Sequence, residues 1–342
     1  MTTAEVMDTL VAEPEAIPTD VSRWSFEGRF ADWTADARYF EYTRAANPIG
    51  AGLTPRIPIR RFSPDLHRQG PTRLVALDLS AELGIDDGAA TSPGLLATFM
   101  RISAGDQIPT APNATSELYY VLSGGGFSSV NGTLVRWREG DVITLPAGCR
   151  STHYADTDSV LYWVHDEPLL RYLGVAARRA KFRPTHYPAE RSRAELARVA
   201  AAPRAGNRNR ISVLLANAGQ PQSLTVTHVL WAMIGLLPAG QMQPAHRHQS
   251  VALDLIIDCP PEGCYTLVGD RIDEQGRIVD PTRVDWEPGE AFVTPPGKWH
   301  AHHNESGVDA HLIPVQDAGL QTYLRSLDIR FTTRARLTPA AT

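Results

Sequence analysis

The sequence predicts a mainly β protein in which two similar domains, each a barrel or sandwich of short strands, follow one another in a single chain. Residues 76–168 and 211–318 consist of short apolar runs separated by Gly, Asn, Ser and Asp, a pattern typical of β-sandwiches and barrels. The segment between them is rich in Ala, Leu and Arg instead. A length of 342 residues also suits two domains better than one.

Residues 1–75 are interpreted as an N-terminal arm. They carry aromatic residues among polar ones, and the passage from Pro48 to Pro64 contains too many prolines for one long helix. The arm is therefore expected to pack on something outside itself.

Residues 169–210 are expected to be a helical linker. In LLRYLGVAARRAKF and AERSRAELARVAAA, apolar residues recur at spacings of three and four, and Pro203 follows the second run. After the second β-domain, the run GLQTYLRSLDI predicts one closing helix at the start of a tail formed by residues 319–342.

Charge and hydropathy argue against several classes of partner. The chain has 33 Lys and Arg against 38 Asp and Glu, and no basic cluster is interleaved with aromatic residues as in a nucleic-acid binder. The N-terminal residues are acidic, and no segment approaches the run of about 18 apolar residues that spans a membrane. The expectation is a cytoplasmic protein with a small-molecule partner and no nucleic-acid or membrane partner.

Two histidine-containing motifs lie in the second β-domain. In GQMQPAHRHQSVALDLII, Gly240 precedes the pair His246 and His248, and GEAFVTPPGKWHAHHN carries Gly289 and His300. In order and internal spacing these segments resemble the first and second motifs of the cupin family. The resemblance implies two jelly-roll (double-stranded β-helix) barrels in one chain, and a homo-oligomer, since cupins often pair through sheet edges and arms.

The first β-domain has the same skeleton with different side chains. In GDQIPTAPNATSELYYVLSG, Ala111 and Asn113 stand at the two histidine positions and Glu117 at the acidic position. In GDVITLPAGCRSTH, Ser151 stands at the third histidine position, and His153 comes two residues later. This domain is therefore expected to have no metal ligands.

His246, His248 and His300 are expected to form one metal site. Residues two apart on a strand project to the same face, so the first two can bind one ion together, and His300 would come from a second strand. Three ordinary core histidines at these positions are the less favourable alternative, because a buried imidazole without a partner is costly.

Many cupins add a Glu four or five residues after the second histidine, but Ala252 and Leu253 occupy those positions here. Three histidines without a carboxylate leave up to three positions of an octahedral ion free, enough for a bidentate substrate together with dioxygen. The expected cofactor is Fe(II).

Among three-histidine cupins, the chain most resembles the gentisate and salicylate ring-cleaving dioxygenases. That family also has two barrels, an arm and a W-H-x-H-x-N segment, here Trp299 to Asn304. The resemblance implies that His300 is a ligand, that His302 is a catalytic residue near the substrate, and that Trp299 and Asn304 contact the substrate. An imidazole there can act as acid or base near neutral pH. A purely structural role for His302 is the alternative.

The chain departs from that family in two respects. The family uses its N-terminal barrel for iron, whereas the histidines here lie in the C-terminal one. The family also has an Arg, which helps to hold the substrate carboxylate, where this chain has Asp254. Asp254 shares strand parity with His246 and His248, so it is expected to face the metal pocket, to favour an amine or other donor, and to disfavour a carboxylate.

A structural role for Asp254 is the alternative. In that case it would pair with a nearby arginine, such as Arg271 or Arg283, and Arg101 or Arg150 would recognise a substrate carboxylate.

The sequence therefore predicts a non-haem Fe(II) dioxygenase that binds a small hydroxylated aromatic or conjugated substrate, with an amino group as one option, directly on the metal. One alternative is another three-histidine cupin enzyme, such as a thiol or diketone dioxygenase or an isomerase. The other is a non-catalytic bicupin that binds a metal or small molecule. Open coordination positions favour an enzyme, because structural metal sites are usually closed.

Overall fold

The computed structural model describes residues 33–203, 205 and 208–332. Residues 1–32 of the expected arm and residues 333–342 of the expected tail lie outside the described residues. No helix in the described ranges is long and apolar enough to cross a bilayer.

The chain divides into two units, residues 1–51 and 52–342. In the first unit, helix α1 (Tyr42–Ala45) begins after Glu41, whose carboxylate accepts hydrogen bonds from two backbone N–H groups of the first turn. Such a cap satisfies donors that have no partner within the helix.

The second unit contains two β-sandwiches. The strands of the first sandwich are β2 (Arg73–Ala76), β3 (Leu96–Ile102), β4 (Gln107–Thr110), β5 (Ser116–Ser123), β6 (Gly125–Val130), β7 (Thr133–Arg138), β8 (Val142–Pro146), β9 (Ser151–Ala155), β10 (Ser159–His165) and β11 (Thr185–Tyr187). Its larger sheet has the order β11-β8-β5-β10-β3-β2, and its smaller sheet the order β4-β9-β6-β7. β3 and β10 are buried along their whole length, which explains their nearly continuous apolar sequences.

The second sandwich repeats this arrangement. Its strands are β1 (Arg61–Phe62), β12 (Ile211–Leu215), β13 (Trp231–Leu237), β14 (Met242–Arg247), β15 (Ala252–Asp258), β16 (Cys264–Gly269), β19 (Thr282–Asp285), β20 (Ala291–Thr294), β21 (Trp299–Asn304), β22 (Ala310–Gln316) and β23 (Arg330–Phe331), with the hairpin β17 (Arg271–Ile272) and β18 (Ile278–Val279). The larger sheet has the order β1-β20-β15-β22-β13-β12, and the smaller sheet β19-β16-β21-β14-β23.

Each sandwich receives an edge strand from outside its own stretch of sequence. β1 precedes the first sandwich in the chain but pairs with β20 of the second, whereas β11 follows the first sandwich and pairs with its β8. These pairings are antiparallel and occupy equivalent edges. The segments before and between the sandwiches are thus part of the sheets.

The helices of the second unit are short. They are α2 (Asp65–Arg68), α3 (Ser80–Leu83), α4 (Glu167–Leu173), α5 (Ala189–Ala200) and α6 (Ala318–Tyr323). The expected helical linker, residues 169–210, contains α5 and most of α4, but between them lies β11. Gly174 ends α4 in the left-handed conformation, and Pro184 and Pro188 bracket β11 and prevent a continuous helix.

The two larger sheets pack against each other. Leu118 and Tyr120 on β5 belong to the same hydrophobic cluster as Leu253 and Leu255 on β15. Because side chains alternate along a strand, the residue between the two leucines, Asp254, faces the interior of its own sandwich. The predicted fold class, mainly β with two jelly-roll domains, is confirmed.

Candidate metal centre

Two neighbouring strands bring the three expected metal ligands together. His246 on β14 lies directly opposite His300 on β21, and His248 is the second residue after His246. Between Gln243 and His246 the register shifts, and Pro244 occupies this bulge, where a strand tolerates proline. The three histidines are buried, and their ligand atoms all lie within 4.8 Å of one another.

Backbone carbonyls hold the outer ring nitrogen of two of these histidines. Nδ1 of His248 lies 2.9 Å from the carbonyl oxygen of Ser250, and Nδ1 of His300 lies 3.2 Å from that of Lys298. Nε2 of His248 is buried without a hydrogen-bond partner in the described part of the chain. One nitrogen held by the protein and the other left free is the usual arrangement of metal-binding histidines.

Burial keeps the three imidazoles neutral. It lowers the pKa of His248 to about 4 and holds the pKa of His246 and of His300 well below the ordinary histidine value. The neutral imidazole is the form that binds a metal ion, and among the described residues no carboxylate or thiol joins the group. These residues fit a divalent transition-metal ion with three nitrogen ligands and open coordination positions.

His302 lies beside this group on the same inward face of β21. The centroid of its ring is 5.8 Å from that of His300 and 6.2 Å from that of His246. Its Nδ1 is 2.8 Å from the hydroxyl oxygen of Thr266, and that oxygen accepts a hydrogen bond of 2.8 Å from the indole of Trp286. The structure thus brings His302 next to the three candidate ligands and outside their group.

Arg210 is a candidate functional residue that the sequence pattern did not reveal. One terminal nitrogen of its guanidinium, Nη2, contacts Nε2 of His246 and lies 3.4 Å from Nε2 of His302. Burial lowers its pKa to about 10, an effect that Asp254 partly opposes, so the group is charged at neutral pH. Arg210 immediately precedes β12, and nothing in the local sequence distinguishes it from the neighbouring arginines.

Asp254 provides a negative charge in the same interior. Its Oδ2 accepts a hydrogen bond of 2.8 Å from the hydroxyl of Thr294. Burial raises the pKa of Asp254 to about 6, while the bond from Thr294 and the charge of Arg210 act in the opposite direction. The carboxylate is therefore mostly ionised at neutral pH and has a partly buried cation in its surroundings.

The arginines considered as alternatives lie elsewhere. Arg271 pairs with Asp280 in the turn between β18 and β19 at 3.7 Å, and Arg283 pairs with Asp285 on β19 at 2.7 Å. Arg101 and Arg150 belong to the first sandwich, and the guanidinium of Arg101 is bonded to Asp158 there. Arg271 and Arg283 therefore have other partners than Asp254, and Arg101 and Arg150 lie in the other sandwich; the charge that acts on Asp254 is that of Arg210.

Trp299 does not lie on the face that carries the histidines. Strand alternation directs it to the opposite face of β21, where the guanidinium of Arg247 lies 5.1 Å from its ring centroid. It lines a cavity of about 760 Å³ on that face, together with Phe331. The expectation that Trp299 contacts a substrate on the metal is wrong, because neighbours on a strand face opposite sides.

Asn304 faces inward, but its side-chain amide is fully engaged. Its nitrogen donates to the carbonyls of Leu237 and Val308, at 3.0 and 2.8 Å, and its oxygen accepts from the N–H and hydroxyl of Ser306, at 3.0 and 2.6 Å. An amide has two donors and two acceptor sites, so none is left for a substrate. Asn304 holds the turn that follows β21, contrary to the expected substrate contact.

In the first sandwich, β4 and β9 take the places of β14 and β21. His153 lies opposite Ser128 on β6, as His302 lies opposite Thr266 on β16. His153 is therefore equivalent to His302, and Ser151, two residues earlier, is equivalent to the ligand at position 300.

The histidine pair has no counterpart on β4. The residue opposite Ser151 is Thr110, whereas motif spacing aligned Ala111 with His246. The strand pairing thus places Thr110, and the motif spacing Ala111, at the position of His246. This offset of one residue arises because β14 has a bulge that β4 lacks. The amide of Asn113 is bonded to the backbone of the segment that follows α4, at 2.9 Å.

Two jelly-roll sandwiches, one with a buried three-histidine group, define a chain of the cupin fold with a candidate metal centre. Residues 98–165, in the first sandwich, match the family model described as "Cupin domain".

Curated relatives of the chain are 1,2-dioxygenases by name. The chain is 33% identical over 129 residues to 5-aminosalicylate 1,2-dioxygenase of Comamonas sp. The matched segment is 32% of this chain and 33% of that protein. It is 27% identical over 118 residues to 5-nitrosalicylic acid 1,2-dioxygenase of Bradyrhizobium sp. That match covers 34% of this chain and 57% of the relative. The matched part is thus a third to just over half of these relatives' length.

A solved structure agrees over most of the chain. Salicylate 1,2-dioxygenase from Pseudoaminobacter salicylatoxidans, determined as adducts with gentisate, superposes with a TM-score of 0.63 at 15% identity, covering 85% of this chain and 90% of that one. The predicted resemblance to cupins and to gentisate and salicylate dioxygenases is confirmed at the level of fold and of partial sequence similarity.

Proposed function

We propose that the protein is an Fe(II)-dependent dioxygenase that cleaves the ring of a small hydroxylated benzoate, with dioxygen as its second substrate. The observation that carries the proposal is the buried group of three neutral histidines with the charged guanidinium of Arg210 beside it. The histidines supply the metal site, and the guanidinium supplies the charge that a carboxylated substrate needs.

His246, His248 and His300 would hold the ion. With three neutral ligands, a ferrous ion keeps its double positive charge and supplies open positions at which a hydroxylated ring and dioxygen can bind side by side. His302, next to these ligands, would act as the acid or base for a substrate hydroxyl.

Arg210 would bind the substrate carboxylate. A guanidinium presents paired N–H donors that match a carboxylate, and a carboxylated ligand would offset the charge of this partly buried cation. The relatives' printed names, aminosalicylate, nitrosalicylic acid and gentisate, denote hydroxybenzoates. Arg210 therefore supports a carboxylated phenol as the substrate class.

Asp254 would add selectivity for a donor group. The expected repulsion of carboxylates by Asp254 is offset here, because the charge of Arg210 lies in the same interior. A pocket with one cation and one anion suits a ring that carries a carboxylate and also an amine or second hydroxyl. Among hydroxybenzoates, an amino-substituted one is the proposed best substrate.

The test is oxygen consumption by protein purified without air and loaded with Fe(II). Gentisate, salicylate and 5-aminosalicylate should be consumed, and catechol and 2-aminophenol, which lack a carboxylate, should be much poorer substrates. The His248→Ala variant is the matched control and should consume none. Equal rates with catechol would overturn the assignment to carboxylated rings. Oxygen uptake with none of these compounds would favour another three-histidine enzyme or a binding protein.

We also propose that the chain forms a homo-oligomer. Trp33, Tyr39 and Phe40 in the first unit are 90%, 92% and 77% exposed, and large exposed aromatic side chains are typical of an interaction surface. Light scattering of the full chain and of a variant that lacks residues 1–51 tests this, and a monomeric full chain would contradict it.

A further inference from the structure

A buried chain of hydrogen bonds ends on His302. The indole Nε1 of Trp286 lies 2.8 Å from Oγ1 of Thr266, and the same oxygen lies 2.8 Å from Nδ1 of His302. All three side chains are at most 4% exposed. Water therefore does not compete for these bonds, and each buried donor needs an acceptor within the protein.

The direction of the bonds follows from the chemistry of the groups. An indole N–H can only donate, so the Thr266 oxygen accepts from Trp286. The hydroxyl hydrogen of Thr266 then has Nδ1 of His302 as its acceptor, and a buried hydroxyl hydrogen without an acceptor would cost free energy. A neutral imidazole that accepts at Nδ1 carries its hydrogen on Nε2.

We propose that Thr266 and Trp286 are positioning residues that fix His302 in the tautomer with hydrogen on Nε2, so that His302 offers an N–H donor to the ligand pocket. Nε2 is the atom that faces Arg210 and the metal-binding histidines. The role in catalysis rests on the proposed function, whereas the tautomer itself does not. In that function the N–H would hold an anionic substrate oxygen in place.

Among the described residues, Arg210 makes a contact that favours the other tautomer. Its Nη2 lies 3.4 Å from Nε2 of His302, and a guanidinium can only donate. That distance is long for an N–H hydrogen bond, whereas 2.8 Å between Thr266 and His302 is close to the optimum. The opposite tautomer would also leave the hydroxyl hydrogen of Thr266 without an acceptor, so the Thr266 bond decides.

The first sandwich contains the same device. The indole of Trp137 donates to Ser128 at 2.9 Å, and the Ser128 oxygen lies 2.7 Å from Nδ1 of His153. On the other side, Nε2 of His153 lies 3.1 Å from the hydroxyl of Thr110, which lies 3.0 Å from that of Tyr119.

The bond of Tyr119 fixes the direction of this second chain. Its hydroxyl donates to the carboxylate of Glu117 at 2.6 Å, so its oxygen accepts from Thr110, and Thr110 accepts from Nε2–H of His153. Every hydrogen in the chain has an acceptor only if His153 carries its hydrogen on Nε2. The equivalent histidine of the first sandwich therefore adopts the tautomer proposed for His302 without any metal ligand nearby.

Nitrogen NMR of the full chain with ¹⁵N-labelled histidine tests the proposal in the metal-free and Zn(II)-loaded protein. The signals that disappear in His302→Asn identify His302. In the wild-type protein, Nε2 of His302 should give a protonated and Nδ1 an unprotonated signal. The reverse pattern would overturn the proposal, and this measurement requires no activity.

Substitutions at Thr266 test the cause. Thr266→Val should leave the Arg210 contact to shift His302 predominantly to the other tautomer and lower kcat at least about tenfold, as expected when a donor to the substrate oxygen is lost, with KM nearly unchanged. Thr266→Ser should restore both. Ser128→Ala is the matched control and should change only the signals of His153. Unchanged His302 signals in Thr266→Val would refute the role of Thr266.

A variant at Trp286 tests the proposal if Thr266→Val does not fold. Trp286→Phe deletes only the first donor of the chain and should mix the two tautomers of His302 in part. Unchanged His302 signals in this variant would exclude a role for Trp286.

Discussion

The two sandwiches have complementary polar residues on the same framework. In the first sandwich, Glu117 pairs with Leu145, the last residue before the proline that ends β8. In the second sandwich, Ala252 pairs with Thr294, the last residue before the proline that follows β20. Glu117 and Ala252 are therefore equivalent. The first sandwich has a carboxylate at this place without a histidine pair, and the second has three histidines without that carboxylate.

The interiors also differ in how their polar atoms are satisfied. In the first, Glu117 accepts from Tyr119 and Trp163, and the chain of bonds continues to His153. In the second, Nε2 of His248 is left without a partner among the described residues. The first interior also contains buried polar atoms without a partner, among them Oγ of Ser151. The contrast therefore concerns the equivalent histidine: His153 has a hydrogen-bond partner on each ring nitrogen, whereas His302 lies beside three further histidines.

Removal of one histidine should have the largest effect on this contrast. His246→Ala, His248→Ala and His300→Ala should each purify without stoichiometric metal, because two nitrogen ligands hold a labile divalent ion too weakly. Metal analysis after anaerobic purification measures this. Asn113→Ala in the first sandwich should leave the metal content unchanged. Metal retained in any histidine variant, or lost in the control, would break the contrast.

Glu117 should make the first sandwich sensitive to pH. Burial raises its pKa from 4.5 to about 7 in the folded protein, so between these values the folded state binds more protons than the unfolded state, and stability falls as pH rises. The shift corresponds to about 3 kcal/mol across the window. Glu117→Gln should remove this loss, as measured by denaturant unfolding at pH 5 and pH 8. Glu139→Gln, an exposed control, should retain the wild-type pH dependence of stability. If Glu117→Gln also retains it, Glu117 is not the group that causes the loss of stability.

Arg210→Ala should weaken substrate binding while leaving the metal in place. Loss of a charged hydrogen-bond partner costs about 2 kcal/mol, which predicts a rise in KM for salicylate or gentisate of roughly 10- to 100-fold. Arg150→Ala, an exposed arginine of the first sandwich, is the control. An unchanged KM in Arg210→Ala would remove Arg210 from the substrate site.

These contrasts indicate what the sequence could predict. The spacing of His246, His248 and His300 within two strand motifs predicted a group that the structure brings together, because strand geometry converts spacing directly into a shared face. Arg210 could not be found in this way, since it reaches the pocket from a separate segment through tertiary contacts alone. Asn304 was misassigned for a similar reason, because a following turn occupies its amide.

Two other errors had local causes. Trp299 was assigned to the substrate by resemblance, although alternation with its neighbour His300 already directed it to the opposite face. β11 was hidden in a segment whose flanking runs are helical, and only its two bracketing prolines signalled a break.

Asp254→Asn should give the smallest of these effects, a change in selectivity. The substitution keeps the shape of the side chain and its bond to Thr294 but removes the negative charge opposite Arg210. A substrate amine would lose an ionic partner, whereas a substrate carboxylate would meet a more positive pocket. The ratio of kcat/KM for 5-aminosalicylate to that for salicylate should therefore fall about tenfold, a difference of about 1.4 kcal/mol. Asp258→Asn on the same strand is exposed and should leave the ratio unchanged. A ratio that does not move in Asp254→Asn, with metal content intact, would show that the carboxylate serves the fold of the second sandwich rather than its choice of substrate.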